Sequence, residues 1–231
     1  QVSFRNLSSF YEHVTNKVPL GGIDQIWFLE NLSEGSKKGF EGGKRIFDVV
    51  FSAFASVLAL ILILPVVLLI RIDSRGPVFY KQKRVGRSGK VFEMIKLRTM
   101  IIDAEKSGAQ WATENDPRVT RIGKILRKTR IDELPQLWNI IRGEMSFVGP
   151  RAERPEFHGD LKTNIPFYEE RYIIKPGLTG WAQINFPYGS SVGDTIEKLQ
   201  YDLYYIKNRS VFLDLGIILK TINIALRQAG R

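Results

Sequence analysis

A chain of 231 residues with 44% hydrophobic content has enough apolar material for one good core and an appended segment. Its formal charge of +10 calls for an anionic partner: nucleic acid, an anionic membrane or a phosphate-bearing substrate. The absence of cysteine excludes a disulfide framework and a thiolate metal site, and His13 and His158 are too few and too far apart for zinc.

Residues 1–40 read as a connector. They mix aromatic and apolar residues (Phe4, Phe10, Tyr11, Trp27, Phe28) with the turn signals Pro19 to Gly22, then become rich in Gly and Ser. The chain opens on Gln1, which fits a piece of something longer with an upstream domain. The 22 residues from Val49 to Ile70 carry no charge and are flanked by Lys44, Arg45 and Asp48 before and Arg71 after. A bilayer-spanning helix needs roughly 20 apolar residues, so residues 41–75 are expected to be a membrane segment. Cations at both ends leave the positive-inside rule without a direction. Pro65 lies inside the run, where it removes a backbone hydrogen bond. A helix that enters, breaks at Leu64-Pro65 and returns would keep both basic ends on one face; an ordinary span with a tolerated proline is the alternative. No second apolar run follows, and later amphipathic segments would rest on the same surface. Re-entry is therefore the favoured reading.

Residues 75–98 hold eight cations against the single acid Glu93, in two short strands around a Gly-Ser turn. A solvated basic hairpin is the plain reading; its place after a membrane segment favours phosphate or headgroup contact. From Arg118 to Arg130 six cations occur in thirteen residues with no acid, on a helix with one basic face. Asp132 and Glu133 follow directly. Behind them Leu134, Leu137, Trp138 and Ile141 take the spacing of one buried helical face. A carboxylate pair among cations suits chemistry on a metal-bound phosphate, whereas a bare Asp-Glu at a helix start is more commonly a cap and a dipole partner. Met145 to Arg151 reads as an extended piece ending in a turn that presents Arg151, residues 155–175 as a helix, and Lys175 to Trp181 as a Pro-Gly turn. In the last helix Val211, Leu215, Ile218, Leu219, Ile222 and Leu226 share a stripe that suits either the core or a membrane interface.

Seven motifs in order resemble the bacterial sugar transferases, the monotopic polyprenol-phosphate phosphoglycosyl transferases. They are Lys44-Arg45-Ile46-Phe47-Asp48, Gly76 to Phe79, Lys96 to Met100, Arg130 to Gln136, Met145 to Arg151, Lys175 to Trp181, and Tyr201 to Tyr205. The resemblance implies an α+β, mostly helical fold: a membrane-inserted re-entrant segment (41–75), then a small cytoplasmic catalytic domain (76–231) with amphipathic interfacial helices and a short β-hairpin. It implies transfer of sugar-1-phosphate from a UDP-sugar to undecaprenyl phosphate, with release of UMP and a covalent aspartyl-phosphosugar intermediate. The setting would be the cytoplasmic face of a bacterial inner membrane, in exopolysaccharide, capsule or O-antigen assembly. Asp132 is then the nucleophile and Glu133 its partner in a Mg²⁺ site. Arg127 and Arg151 bind phosphate, and Lys96, Arg98, Arg171 and Asp202 serve substrate contact or scaffold pairing. Two departures from the family pattern stand out: Leu64 where a serine commonly precedes the proline, and Ala152 where a second proline commonly follows Arg151.

Cations beside the pair, Arg130 included, are expected to lower both carboxylate pKa values. Membrane lipids are expected partners, and a homodimer is open. Nucleic acid is not expected, because no RNP, helix-turn-helix or zinc-finger spacing is present. A non-catalytic, membrane-docked polyanion-binding regulator is the competing function. The sugar is not encoded legibly; residues 183–198 are where its specificity is expected.

Overall fold

The longest element is α3, Lys38–Asp73, a 36-residue helix. In the computed structural model it serves as the spine on which the other elements are hung. The structure describes residues 7–31, 37–106, 108, 116–186 and 191–227. Along α3, Asp48, Ser52, Ala59 and Ile70 are buried, and Ala55, Ile63 and Val66 pack in line with them. These positions step by three or four residues, so they form one seam against the domain. The opposite side leaves Phe54, Leu58, Ile61, Leu64, Leu68 and Ile72 exposed.

The expected break at Leu64-Pro65 is absent: the helix runs unbroken through Pro65. Proline forfeits one backbone hydrogen bond there. The seam residues on either side, Ile63, Val66 and Val67, pack on Leu97 and Leu126 and hold the flanking turns.

Both ends of α3 are fastened to the same domain. Arg45 donates to Ile140 O at 2.6 Å and Ile141 O at 2.7 Å. Asp48 accepts from Ser146 Oγ and from the Phe147 amide, and Lys44 pairs with Asp214. At the far end the Arg98 guanidinium donates to Ser74 O at 2.6 Å and Arg75 O at 2.9 Å. Asp73 accepts from the Ile122 amide.

Strands β1 (Phe79–Val85) and β2 (Val91–Leu97) pair antiparallel, Phe79 opposite Leu97 and Val85 opposite Val91. This is the expected hairpin. Helix α4 (Arg121–Thr129) is capped by the Thr120 side chain and lies close against the end of β2. A Cβ on Gly123 would fall 2.0 Å from Thr99 O, so only glycine permits that approach. A short 3₁₀ turn, Ile131–Glu133, leads to α5 (Gln136–Arg142). The buried face of α5 is Gln136, Leu137, Asn139 and Ile140, while Trp138 is exposed. The expected apolar stripe is thus out of phase after Leu137, because two of the inward positions are polar.

A second, parallel pair joins β3 (Ser146–Val148), within the expected extended piece, to β4 (Gly177–Thr179), where only a turn was expected. Gly149 and Gly177 allow it: a Cβ on Gly177 would sit 2.1 Å from the Gly149 nitrogen. Residues 155–175 divide into α6 (Pro155–Asn164) and a 3₁₀ turn, Tyr168–Tyr172. After α7 (Trp181–Asn185), α8 (Val192–Asn208) starts at a Ser191/Asp194 capping box and carries Leu199, Leu203, Tyr205 and Ile206 into the main core. The region expected to be a connector folds onto α8. Helices α1 (Leu7–Thr15) and α2 (Gln25–Asn31) flank Val18, which is fully buried and bonds to Gln200 O. In α9 (Val211–Leu226), Asp214 and Ile217 face inward, while Val211, Phe212, Leu215, Leu219 and Ile222 are exposed. Of the expected stripe, Val211, Leu215, Leu219 and Ile222 therefore point away from the core, Ile218 packs against it, and the Leu226 side chain lies outside what is described.

Candidate active site

The tight link between α4 and α5 sets the two carboxylates. Arg130 ends α4 in the left-handed region (φ 60°), and the chain turns at once into the 3₁₀ turn carrying Asp132 and Glu133. Both side chains are buried, at 7% and 9% exposure, rather than free at a helix start. Asn139 locks α5 to β2: it accepts from the Ile95 amide at 3.1 Å and donates to Glu93 O at 2.7 Å. That register brings Lys96 of β2 to Glu133.

Glu133 is surrounded by cations. Its Oε1 lies 3.3 Å from Lys96 Nζ, 3.7 Å from Arg130 and 3.9 Å from Arg151. Burial alone would raise its pKa, but Lys96, Arg151 and Arg130 outweigh it and hold the carboxyl down, at about 2. Asp132 behaves oppositely. Burial, then the neighbouring Glu133 charge, pushes it up to about 6, against the pull of Lys96, Arg127 and Arg130. The expected lowering of both pKa values holds for Glu133 and fails for Asp132, because desolvation exceeds the attraction there. Asp132 Oδ1 is buried without a hydrogen-bond partner, an arrangement that calls for an explanation. The pair is split into one carboxylate paired with cations through Oε1 and one with an unpartnered oxygen.

The other expected residues separate into three groups. Lys96, Arg127 and Arg151 are brought to the carboxylates; Arg127 is steered by a 2.9 Å bond from its Nε to Thr99 Oγ1. Arg171 and Asp202 lie behind, in a buried ion pair at 2.8 Å with Glu153 at 3.5 Å. Arg171 also donates to the Arg151 carbonyl at 3.1 Å, so this pair supports the backbone that presents Arg151. Burial pushes the Asp202 carboxyl up to about 6 against the pull of Arg171. Burial also opposes the Arg171 charge, but Asp202, Tyr168 and Glu153 outweigh it and raise its pKa. An arginine stays charged, and the 2.8 Å contact fixes an ion pair at neutral pH. Arg98 is not at the site; its guanidinium caps the end of α3.

Sequence reasoning missed Arg84, Glu153 and Gln136. Arg84 is partly buried, donates to the Ala152 carbonyl at 2.9 Å, and is lowered to about 10 by burial and by Arg151. Only the hairpin register brings it there. Glu153 stands two residues after Arg151, and Gln136 lies in the same motif as Asp132, so both were within sight. Of the stretch expected to set specificity, residues 187–190 lie outside the described residues.

Chemically, the site offers an ionisable carboxylate with an open oxygen, set among four cations. Among the described residues no group of three or more His, Asp or Glu side chains is arranged to hold a metal ion. The Asp132 carboxylate is nonetheless a hard oxygen donor, and Mg²⁺ is commonly bound by one or two carboxylates together with substrate phosphates. The adjacent carboxylates of Asp132 and Glu133 are compatible with that mode of binding.

The sequence is similar to a UDP-N-acetylgalactosamine-undecaprenyl-phosphate N-acetylgalactosaminephosphotransferase of Aeromonas hydrophila. The two are 44% identical over 187 residues, 81% of this chain and 44% of that protein. It is 51% identical to a putative undecaprenyl-phosphate N-acetylgalactosaminyl 1-phosphate transferase of Bacillus subtilis (strain 168), over 55% of this chain and 72% of that one. A UDP-glucose:undecaprenyl-phosphate glucose-1-phosphate transferase of Escherichia coli (strain K12) is 38% identical over 78% of this chain and 39% of its own length. The chain thus spans under half the length of the Aeromonas and Escherichia relatives. The family profile described as bacterial sugar transferase matches residues 40–228, and the chain belongs to that family.

Proposed function

We propose that this protein transfers sugar-1-phosphate from a UDP-sugar to undecaprenyl phosphate and releases UMP. The observation that carries the reading is Asp132: a buried carboxylate with an open oxygen among Lys96, Arg127, Arg130 and Arg151. A scaffold carboxylate would have its oxygens filled, and a solvated polyanion-binding module gives no reason to bury one. Donor and acceptor classes follow from what the relatives are named for.

In the first half-reaction Asp132 attacks the β-phosphorus. A carboxylate O–P bond forms, and the bond to the bridging oxygen breaks. UMP leaves with that electron pair. In the second, an oxygen of the lipid phosphate attacks the same phosphorus and expels the Asp132 carboxylate. Splitting one difficult displacement into two is the usual gain of a covalent nucleophile. Arg151 and Arg127 hold phosphoryl oxygens with forked donors. Lys96 keeps Glu133 ionised and in place. Mg²⁺, held by Asp132 with support from Glu133, would neutralise charge on the diphosphate.

Membrane attachment through α3 and α9 belongs to the same proposal. Asp48 to Ile70 of α3 stays in contact with the domain over ~33 Å, about the thickness of a hydrocarbon core. An upright span would carry the charged hairpin and α5 through lipid, at a cost the bilayer does not tolerate. A monotopic position on the cytoplasmic face of the inner membrane avoids this. The outward apolar surfaces of α3 and α9 then meet lipid, whether or not α3 bends at Pro65 there. A role at the start of glycan assembly, and a homodimeric state, rest on the family resemblance. The test is UMP release by detergent-solubilised Asp132→Asn with Mg²⁺ and a panel of UDP-sugars: no release is expected, and wild-type release removes the nucleophile.

A further inference from the structure

Gln136, one helical turn after Asp132 in the chain, is a second buried polar residue with an unpartnered atom. It is 3% exposed, and its Nε2 has no hydrogen-bond partner. The backbone from Ile131 to Arg142 is right-handed helical throughout: the 3₁₀ turn, Leu134 at φ −54°, ψ −37°, Pro135 at φ −62°, ψ −16°, then α5. Glu133, Gln136 and Asn139, spaced by three, therefore share one face. That face looks onto β2, since Glu133 meets Lys96 and Asn139 holds the backbone of Glu93 and Ile95. Of the outer two members, Asn139 has both ends of its amide bonded and Glu133 is paired with Lys96 through Oε1. The middle one has its Nε2 unpartnered.

A buried amide left unsatisfied is destabilising because it has lost its water without gaining a partner, and leucine in its place would remove that cost. Retaining the amide is explained if a ligand completes it. We infer that Gln136 donates from Nε2 to a non-bridging oxygen of the phosphoryl group that Asp132 attacks, and is a substrate-contacting residue of this site. The cations that act on Asp132, namely Lys96, Arg127 and Arg130, select an anionic oxygen over a neutral hydroxyl at the attacked group. The assignment rests on the proposed nucleophilic role of Asp132, one helical turn earlier, which would bring the β-phosphoryl of a nucleoside diphosphate to this point.

The experiment uses the full chain in detergent with Mg²⁺. Binding of UDP and UMP, adduct formation from UDP-sugars and thermal stability are measured for wild type, Gln136→Leu, Gln136→Glu and Asp132→Asn. Gln136→Leu is expected to weaken UDP binding and slow adduct formation by roughly 10- to 100-fold. It should leave UMP affinity unchanged, because UMP lacks the β-phosphoryl, and keep Tm equal to or above wild type. Gln136→Glu should be at least as impaired, since it replaces a donor by an anion. Wild-type UDP binding and adduct formation in Gln136→Leu would overturn the assignment. So would a lowered Tm with equal loss of both nucleotides, or tighter UDP binding in Gln136→Glu. Full transfer by Asp132→Asn would instead sink the proposed function. An inactive Asp132→Asn beside a wild-type-like Gln136→Leu would sink only the role of Gln136.

Discussion

Two buried charge clusters lie back to back in this domain, and they are built differently. Around Arg171, charges are matched: Asp202 and Glu153 face the guanidinium, and the carbonyl of Arg151 takes another of its protons. Around Asp132 they are not matched. Its Oδ1 and the Gln136 amide are left open, and its pKa is raised by burial. The charges of the first cluster are balanced within the fold; those of the second leave one carboxylate desolvated and unpartnered at Oδ1. Burial alone does not tell a working site from a strut, and neither does one unpartnered atom, since Arg171 Nε is also buried without a hydrogen bond; the difference lies in whether the buried charges are matched.

The largest expected effect is at Asp132. Its replacement by Asn should lower transfer by roughly three orders of magnitude or more. The same variant should be more stable at neutral pH. Because the folded-state pKa lies above the unfolded value, the native protein holds the extra proton between the two, so stability falls as pH rises through that window. The Tm advantage of Asp132→Asn should thus be largest above about pH 6 and shrink as pH falls towards ~4, which melting curves across pH would check. In the Arg171 cluster the signs reverse. Arg171→Met leaves buried Asp202 and half-buried Glu153 without their cation, and should cost roughly 3–5 kcal/mol in denaturant melts. A stable Arg171→Met would erase the contrast.

A smaller effect concerns the pH–rate profile. An Asp132 nucleophile must be ionised, so the rate should fall about tenfold per unit below pH ~6 and level off above it. A solvated aspartate would put that limb near ~4. The limb belongs to the coupled Asp132–Glu133 pair, and Lys96→Met should move it upward by removing a cation. Smallest of all, Arg98→Ala should cost about 1–2 kcal/mol by uncapping α3. The rate per folded molecule should stay within roughly twofold of wild type, which active-site titration checks.

Much of this was legible in the sequence. The hairpin followed from alternation around Arg87-Ser88-Gly89, the basic helix with Arg127 from its period, and the Asp132–Glu133 pair with Lys96 and Arg151 from the motifs that contain them. What failed did so for physical reasons. Composition could not show that Asp132 is too buried for its cations to dominate. The inward face of α5 includes Gln136 and Asn139, which a hydrophobic pattern skips. Parallel pairing of two three-residue strands depends on the close approach of Gly149 and Gly177, a long-range contact with no local signal. Arg98, adjacent to Thr99, looked like a site residue and is a helix cap. Pro65 looked like a break, but packing on both sides carries the helix through it.

The most direct test of the central claim is intact mass of the solubilised protein after brief incubation with a UDP-sugar and Mg²⁺, without lipid acceptor, followed by peptide mapping. The account predicts a mass increase of one phosphosugar on the peptide containing Asp132, discharged by added undecaprenyl phosphate and absent in Asp132→Asn. Turnover to lipid-linked product with no adduct, or an adduct on another residue, would contradict it.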